Sequence, residues 1–325
     1  MPQVDLSLDE LRNYRAAIEA PPDLRDFWDD TLAEARDIDL DPVFTPIAAG
    51  LVTIETFDVT FRGFGGHPIR GWLHLPAAAV RGDAPLPAVV QFQGYNGGRG
   101  LPHEHTFWAA AGYAHFVMDT RGQGSGWTTG VTGDPVGAPP AQPGFLTKGI
   151  EDPSEYFYRR VYTDAVRAID LIRSHPLIDA DRVVVTGHSQ GGGITIAMSA
   201  LAGGIVGVMP DVPFLCDFGR GARIAAKEPY LELARYLKAH RDQTDRAFQT
   251  LAYFDGAVLA QRATVPALFS VALMDQTCPP STVFAAYNVY AAAKDIAVYE
   301  FNDHEGGEAF HHTRQMDWLT RSVTR

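Results

Sequence analysis

The stretch Val183-Val184-Val185-Thr186-Gly187-His188-Ser189-Gln190-Gly191-Gly192-Gly193 runs from an apolar, strand-like segment through Gly-x-Ser-x-Gly into a helical pattern. A serine on a sharp strand-to-helix turn has strained backbone geometry, so small residues are needed two positions to either side. Gly187 and Gly191 supply them. The start of the helix aims free N–H groups at the serine oxygen, and the N–H of Gln190 can stabilise a tetrahedral oxyanion. The competing reading is a phosphate-cradling glycine turn, but the lysine of a P-loop and a later ribose-binding acid are both missing.

A serine nucleophile needs a base and a group to orient that base. In α/β-hydrolases these follow in the chain order serine, acid, histidine, with the acid and histidine in loops after late strands. The strand-like segment Ala267–Leu273 runs into Met274-Asp275-Gln276, and Ile296–Phe301 runs into Asn302-Asp303-His304-Glu305. Ser189, Asp275 and His304 would then leave one edge of a parallel sheet. Ser189 attacks, His304 serves as general base and then acid, and Asp275 holds the imidazole tautomer and stabilises its charged form. Asp275 could instead cap the helix that follows it. Asp303 is the rival acid, although its adjacency to His304 makes the side-chain contact awkward.

The second oxyanion donor belongs in a loop after an early strand. Gln91-Phe92-Gln93-Gly94-Tyr95-Asn96-Gly97-Gly98 suits that role through the N–H of Tyr95, with an ordinary glycine loop as the plain alternative. His304 to His312 resembles a helical zinc motif, but Glu308 stands where the second histidine belongs and Gly306-Gly307 opposes a helix. No metal and no organic cofactor is expected. Cys278 lacks an elbow and precedes two prolines, so it reads as structural. The histidines at 67, 74, 103, 105, 115, 175, 188 and 240 read as surface, strand or loop residues.

These groups need a frame. Residues 6–37 show helical spacing with a break at Pro21-Pro22, and two antiparallel strands fit the alternation from Val52 to Leu75 across the Gly63–Gly66 turn. From Ala88 onward, short apolar runs at 88–92, 114–118, 182–186, 205–209, 267–272 and 296–301 alternate with amphipathic segments near 157–174, 190–202, 281–293 and 309–320. That is the pattern of buried parallel strands with crossover helices. The fold class is therefore α/β: an α/β-hydrolase fold with a mostly parallel central sheet and helices on both faces. Residues 1–50 form an N-terminal helical extension and 211–262 an inserted helical cap, so 1–325 is one domain and not the two that length alone allows. Residues 125–153, rich in Gly and Pro, read as a long ordered loop.

Composition excludes other classes. Lys and Arg total 27 against 39 Asp and Glu, a net charge of −12, with no basic patch to offset it. Nucleic acid and anionic membrane are therefore poor partners. Two cysteines cannot build a disulfide scaffold or a four-cysteine zinc site. The first residues lack the basic and apolar regions of a signal peptide, and the apolar stretch 194–209 is broken by Gly203-Gly204. The expectation is a cytoplasmic protein acting on neutral small molecules. A prolyl-type peptidase needs a propeller that the residues before Ala88 cannot build. A non-catalytic hydrolase-fold binder would break the triad.

Several strings together resemble carbohydrate esterase family 7, the acetyl xylan esterase and cephalosporin C deacetylase group. They are Arg121-Gly122-Gln123, Gly187-His188-Ser189-Gln190-Gly191 and His304-Glu305, with Gly94-Tyr95-Asn96-Gly97-Gly98, Pro213–Cys216, Tyr253–Gly256 and Cys278–Tyr287. The resemblance implies removal of acetyl groups from small acetyl esters such as acetylated xylo-oligosaccharides and cephalosporin C. It implies the same triad, Tyr95 and Gln190 as oxyanion donors, and Arg121 and Gln123 as supports acting through Asp119. It also implies a homohexameric ring in which the 125–153 loop and the cap take interface roles. His188 departs from the glycine that many members carry before the serine.

Overall fold

The structure is a computed structural model and describes residues 5–136 and 144–322; part of the 125–153 loop, residues 137–143, lies outside the described residues, as do the first four residues of the expected extension. Eleven α-helices and nine strands follow in chain order among the described residues. They are α1 (Leu8–Asn13), α2 (Leu24–Arg36), β1 (Val43–Ile47), β2 (Ile54–Arg62), β3 (Pro68–Pro76), β4 (Leu86–Phe92), α3 (Phe107–Ala110), β5 (Ala114–Met118), α4 (Phe157–Arg173) and β6 (Ile178–His188). Then come α5 (Gln190–Leu201), β7 (Gly207–Asp211), α6 (Phe218–Ile224), α7 (Tyr230–Ala239), α8 (Thr244–Ala252), α9 (Gly256–Leu259), β8 (Ala267–Ala272), α10 (Pro280–Val289), β9 (Lys294–Tyr299) and α11 (Glu308–Ser322).

All nine strands form one sheet in the order β1-β2-β3-β5-β4-β6-β7-β8-β9. The pairs from β1 to β3 and from β3 to β5 are antiparallel, and every pair from β5 to β9 is parallel. Alternation along the central strands feeds two cores. Ala88, Val90, Val183 and Val185 face α4 and α5, whereas Val89 and Val184 join Trp108, Met209, Trp318 and Leu319 on the opposite face. A strand covered on both faces must be apolar throughout, which is why these runs stand out in the sequence.

The chain leaves β4 toward β5 on one side and β6 toward β7 on the other. The sheet therefore has its topological switch point between β4 and β6, where ligands bind beyond the strand C-termini in open α/β sheets.

Two local features differ from the sequence expectations. The helical pattern over 6–37, expected to break at Pro21-Pro22, already ends its first helix at Asn13. α1 begins at a Ser7–Glu10 capping box and ends at Asn13, because Asn288 Nδ2 donates to the carbonyls of Leu11 and Tyr14 at 2.8 Å each. Residues 1–50 are not wholly helical, since β1 pairs with β2 as an edge strand. Pro46 reads as a strand breaker, but an edge strand tolerates proline whose missing N–H would face solvent. Between β7 and β8 lie α6 to α9, where at least two helical patterns are expected. No helix among the described residues is long and apolar enough to cross a membrane.

The β3–β5 region buries two histidines, with His105 half-buried beside them. His74 and His115 are almost wholly buried, with ring centroids 6.0 Å apart, and His105 Nε2 meets the Arg99 carbonyl at 3.1 Å. Burial, with the nearby His105 adding to it, pushes the pKa of His74 down to about 4. Its Nδ1 meets Thr56 Oγ1 at 3.0 Å, while Nε2 has no partner among the described residues. A base whose folded pKa lies below its unfolded value near 6.5 lets the unfolded chain take up protons first. The stability it supports is intact above pH 6.5 and falls as pH drops toward 4, by ~1.4 kcal/mol per pH unit. Between pH 7.5 and pH 5, wild type should therefore lose ~2 kcal/mol relative to His74→Gln in denaturant titrations. A stability difference that does not change with pH would contradict this.

Candidate active site

Ser189 sits at the elbow between β6 and α5 with φ 57° and ψ −117°. Its N–H donates to the Asp211 carbonyl, and its own carbonyl accepts from Phe214 N–H, both at 2.9 Å, so the end of β7 and the loop after it hold the strained turn. A Cβ on Gly187 would lie 2.4 Å from the Gly191 carbonyl carbon, and one on Gly191 would lie 2.2 Å from the Phe92 carbonyl oxygen. Both glycines are therefore dictated by backbone packed against backbone.

Asp275 lies beyond β8 and His304 beyond β9. His304 Nε2 is 2.9 Å from Ser189 Oγ, and His304 Nδ1 is 2.7 Å from Asp275 Oδ2. Asp275 is almost fully buried, and its Oδ1 accepts the N–H groups of Thr277 and Cys278 at 2.8 Å each. An ionised carboxylate at Nδ1 obliges that nitrogen to carry the proton, leaving Nε2 as an acceptor for the serine hydroxyl. Asp303 is engaged elsewhere: Lys227 Nζ and the Gln276 N–H donate to its carboxylate. Glu305 closes the histidine turn by accepting from Asn302 Nδ2 at 3.0 Å and the Asp303 N–H at 3.2 Å.

The N–H of Gln190 opens α5 and has no preceding helical carbonyl. The N–H of Tyr95 meets no acceptor among the described residues, and Tyr95 follows β4, directly beside β6. The two side-chain amides behind them pair reciprocally. Gln123 Nε2 donates to Gln190 Oε1 at 2.9 Å, and Gln190 Nε2 donates to Gln123 Oε1 at 3.0 Å. Gln123 Oε1 also accepts the Asn96 N–H at 2.8 Å, and Tyr158 Oη donates to Gln190 Oε1 at 2.8 Å. One amide pair thus ties the loop after β4 to the elbow.

Arg121 corrects an expectation. It does not work through Asp119; its guanidinium pairs with Asp164 of α4 at 2.5 and 2.6 Å, fully buried, with Asp134 at 3.6 Å. The Asp119 carboxylate instead accepts backbone N–H groups from Arg99, Val131 and Thr132 at 2.7–3.0 Å. Asp119 therefore folds the loop past Trp127 back onto the glycine loop, and Arg121 pins the same segment to α4.

Ser189 and His304 open into a cleft of about 470 Å³ also lined by Tyr95, Trp127, His188, Pro229 and Thr277. Trp127 stands exposed at its mouth, with Nε1 donating to the Tyr95 carbonyl at 3.0 Å. The His188 ring turns toward the site, and its Nε2 lies 2.9 Å from the His304 carbonyl oxygen. Burial lowers its pKa, so it sits there neutral and donates that bond. Reading the sequence misses Pro229, Tyr158 and Glu232, whose contacts arise only from tertiary packing. A larger cavity, about 590 Å³ among Tyr14, Ile18, Arg220 and Phe248, contains none of the expected site residues.

The zinc-like stretch does not converge: His311 Nδ1 meets Tyr299 Oη at 3.1 Å, and His312 stacks on Phe107. The described residues bring one trio of potential metal ligands within 4.8 Å of one another, Asp275, Cys278 and His304. Two of these are already bonded to each other, and burial holds the Cys278 thiol well above its usual pKa, hence protonated. A protonated thiol is a poor ligand and a poor nucleophile.

A mostly parallel sheet with a serine elbow at its switch point defines an α/β-hydrolase. The family model of acetyl xylan esterase matches residues 1–322. The acetyl esterase Axe7A of Xylanibacter ruminicola is 28% identical over 312 residues, 93% of this chain and 67% of that protein. The solved acetyl xylan esterase from Paenibacillus sp. R4 superposes with a TM-score of 0.90 at 36% identity, covering 98% of this chain and 100% of that one. Acetyl xylan esterase 1 from Thermoanaerobacterium sp. JW/SL YS485 gives 0.86 at 32% identity, over 97% and 99%. An acylaminoacyl peptidase from Pyrococcus horikoshii, at 16% identity and a TM-score of 0.62 over 85% of this chain and 43% of that one, shares the fold alone. The chain belongs to the acetyl xylan esterase family and is a carboxylic ester hydrolase.

Proposed function

We propose that this protein removes acetyl groups from small acetylated saccharides, acetylated xylo-oligosaccharides foremost and the acetoxy group of cephalosporin C as well, by two-step acyl transfer. Ser189 Oγ attacks the acetyl carbonyl while His304 Nε2 takes its proton. The oxyanion forms against the N–H groups of Tyr95 and Gln190, and His304 returns the proton to the departing sugar alcohol. Water, deprotonated by His304, then releases acetate. The observation that carries this reading is the Ser189–His304–Asp275 relay, at 2.9 and 2.7 Å, beside two uncommitted N–H groups. Gly187 and Gly191 shape the elbow. Gln123 and, at greater distance, Arg121 and Asp119 support it.

Whole-molecule features extend the proposal. The chain works as one domain, with α6 to α9 as a cap; Glu228 and Pro229, just before α7, reach the cleft. It assembles as a homohexamer, a role supported by Val131 and Val136 standing exposed on the loop after Trp127. A cytoplasmic location fits Cys216 and Cys278, both free buried thiols. The chemistry calls on no metal or organic cofactor.

The test is acetate release from acetylated xylo-oligosaccharides and cephalosporin C, measured beside p-nitrophenyl esters of increasing acyl length. Release from the saccharides with p-nitrophenyl acetate favoured over longer chains is expected. Turnover of long-chain esters alone would overturn the substrate assignment.

A further inference from the structure

The side chain of Tyr95 is held as firmly as its backbone, and by a different part of the chain. Its hydroxyl donates to Glu232 Oε2 at 2.7 Å across 137 residues of sequence. The same oxygen accepts the N–H of Phe145 at 2.9 Å and, more loosely, those of Leu146 and Gly144 at 3.3 and 3.4 Å. Glu232 Oε2 also accepts the Leu146 N–H at 3.3 Å, while Glu232 Oε1 is enclosed with no hydrogen-bond partner among the described residues. The Tyr95 ring packs edge-on to Phe145 and Phe214. Glu232 stands in the first turn of α7, three residues after Pro229 at the cleft wall.

Holding a half-buried carboxylate with one oxygen unpaired among the described residues costs desolvation. What Glu232 adds is direction. Gln123 fixes the peptide after Tyr95 through the Asn96 N–H, whereas the Glu232–tyrosine bond fixes the side chain and hence rotation of residue 95 about its own backbone. Both are needed to aim an N–H at an oxyanion, because a misplacement of about 1 Å can cost ~10²-fold in rate.

We propose that Glu232 is a positioning residue for the oxyanion hole, acting through the Tyr95 hydroxyl to aim the Tyr95 N–H and so making transition-state binding depend on helix α7. The inference rests on Tyr95 as an oxyanion donor. It separates holding the transition state from holding the substrate, so kcat and KM divide the two.

The experiment compares Glu232→Ala, Glu232→Gln, Tyr95→Phe and the Tyr95→Phe/Glu232→Ala double variant of the full chain. Each is assayed with p-nitrophenyl acetate and with a small alkylboronic acid, which forms a tetrahedral adduct on the serine. Glu232→Ala and Tyr95→Phe should lower kcat ~10–100-fold, leave KM within ~3-fold, and weaken the boronate by about the factor lost in kcat. The double variant should fall no further than the worse single one, because both remove the same contact. Glu232→Gln keeps an acceptor for the hydroxyl and should stay within ~3-fold of wild type. If Glu232→Ala does not fold, Tyr95→Phe and Glu232→Gln carry the test. The proposal is overturned by a raised KM at unchanged kcat, by losses that multiply in the double variant, or by a Gln variant as slow as the Ala variant. Failure of the underlying serine reading looks different: Ser189→Ala would keep its turnover and its boronate affinity.

Discussion

Ser189→Ala should lower kcat for p-nitrophenyl acetate by ~10⁵–10⁶-fold while leaving the fold in place. The size of the loss follows from the unit character of a triad: without the nucleophile, the base and orienter have nothing to activate, and only the oxyanion hole and binding remain. The fold should survive because the elbow is held by its backbone. Ser189 N–H and carbonyl bond to Asp211 and Phe214, and alanine retains both bonds. The backbone at φ 57° is as strained for alanine as for serine, so the change in stability should stay within ~1 kcal/mol. Circular dichroism and denaturant midpoints check the fold, and ester hydrolysis checks the chemistry. Turnover within tenfold of wild type would refute the nucleophile.

Asp275→Asn is the second large effect, and its cause is a tautomer. In the native site Oδ1 accepts two N–H groups, from Thr277 and Cys278, and Oδ2 faces His304 Nδ1. An asparagine must keep its oxygen toward the two N–H donors and turn its amide NH₂ toward the imidazole. Nδ1 then has to accept, the ring proton moves to Nε2, and Nε2 loses the lone pair that receives the serine proton. A fall of ~10⁴ in kcat with little change in KM is expected. A loss below tenfold, measured with p-nitrophenyl acetate, would show that Asp275 does not set the tautomer.

How much of this is legible in the sequence depends on whether a side chain answers to its own neighbours or to distant ones. The elbow is legible because backbone packed against backbone forces Gly187 and Gly191. The positions of Asp275 and His304 are legible because a strand buried on both faces is apolar until it ends, and both residues stand just past such an end. Edge strand β1 is hidden because it is mostly exposed and contains Pro46. The partner of Arg121 is hidden too: Asp164 lies inside α4, where its spacing resembles that of any helical acid. Glu232 sits among Leu231, Leu233, Arg235 and Lys238 in an ordinary amphipathic pattern, and only tertiary packing brings it to Tyr95. The loop after β5 has no periodicity at all, and the course of its described residues near the site follows from the bonds that Asp119 and Gln123 make to backbone N–H groups.

The most direct test of the account is to treat wild type and Ser189→Ala with a fluorophosphonate, digest them, and locate the adduct by mass spectrometry. The account predicts one adduct per wild-type chain, on Ser189 in the peptide that carries Gly187 to Gly191, and none on the alanine variant. An adduct on any other residue, or equal labelling of both proteins, would contradict it.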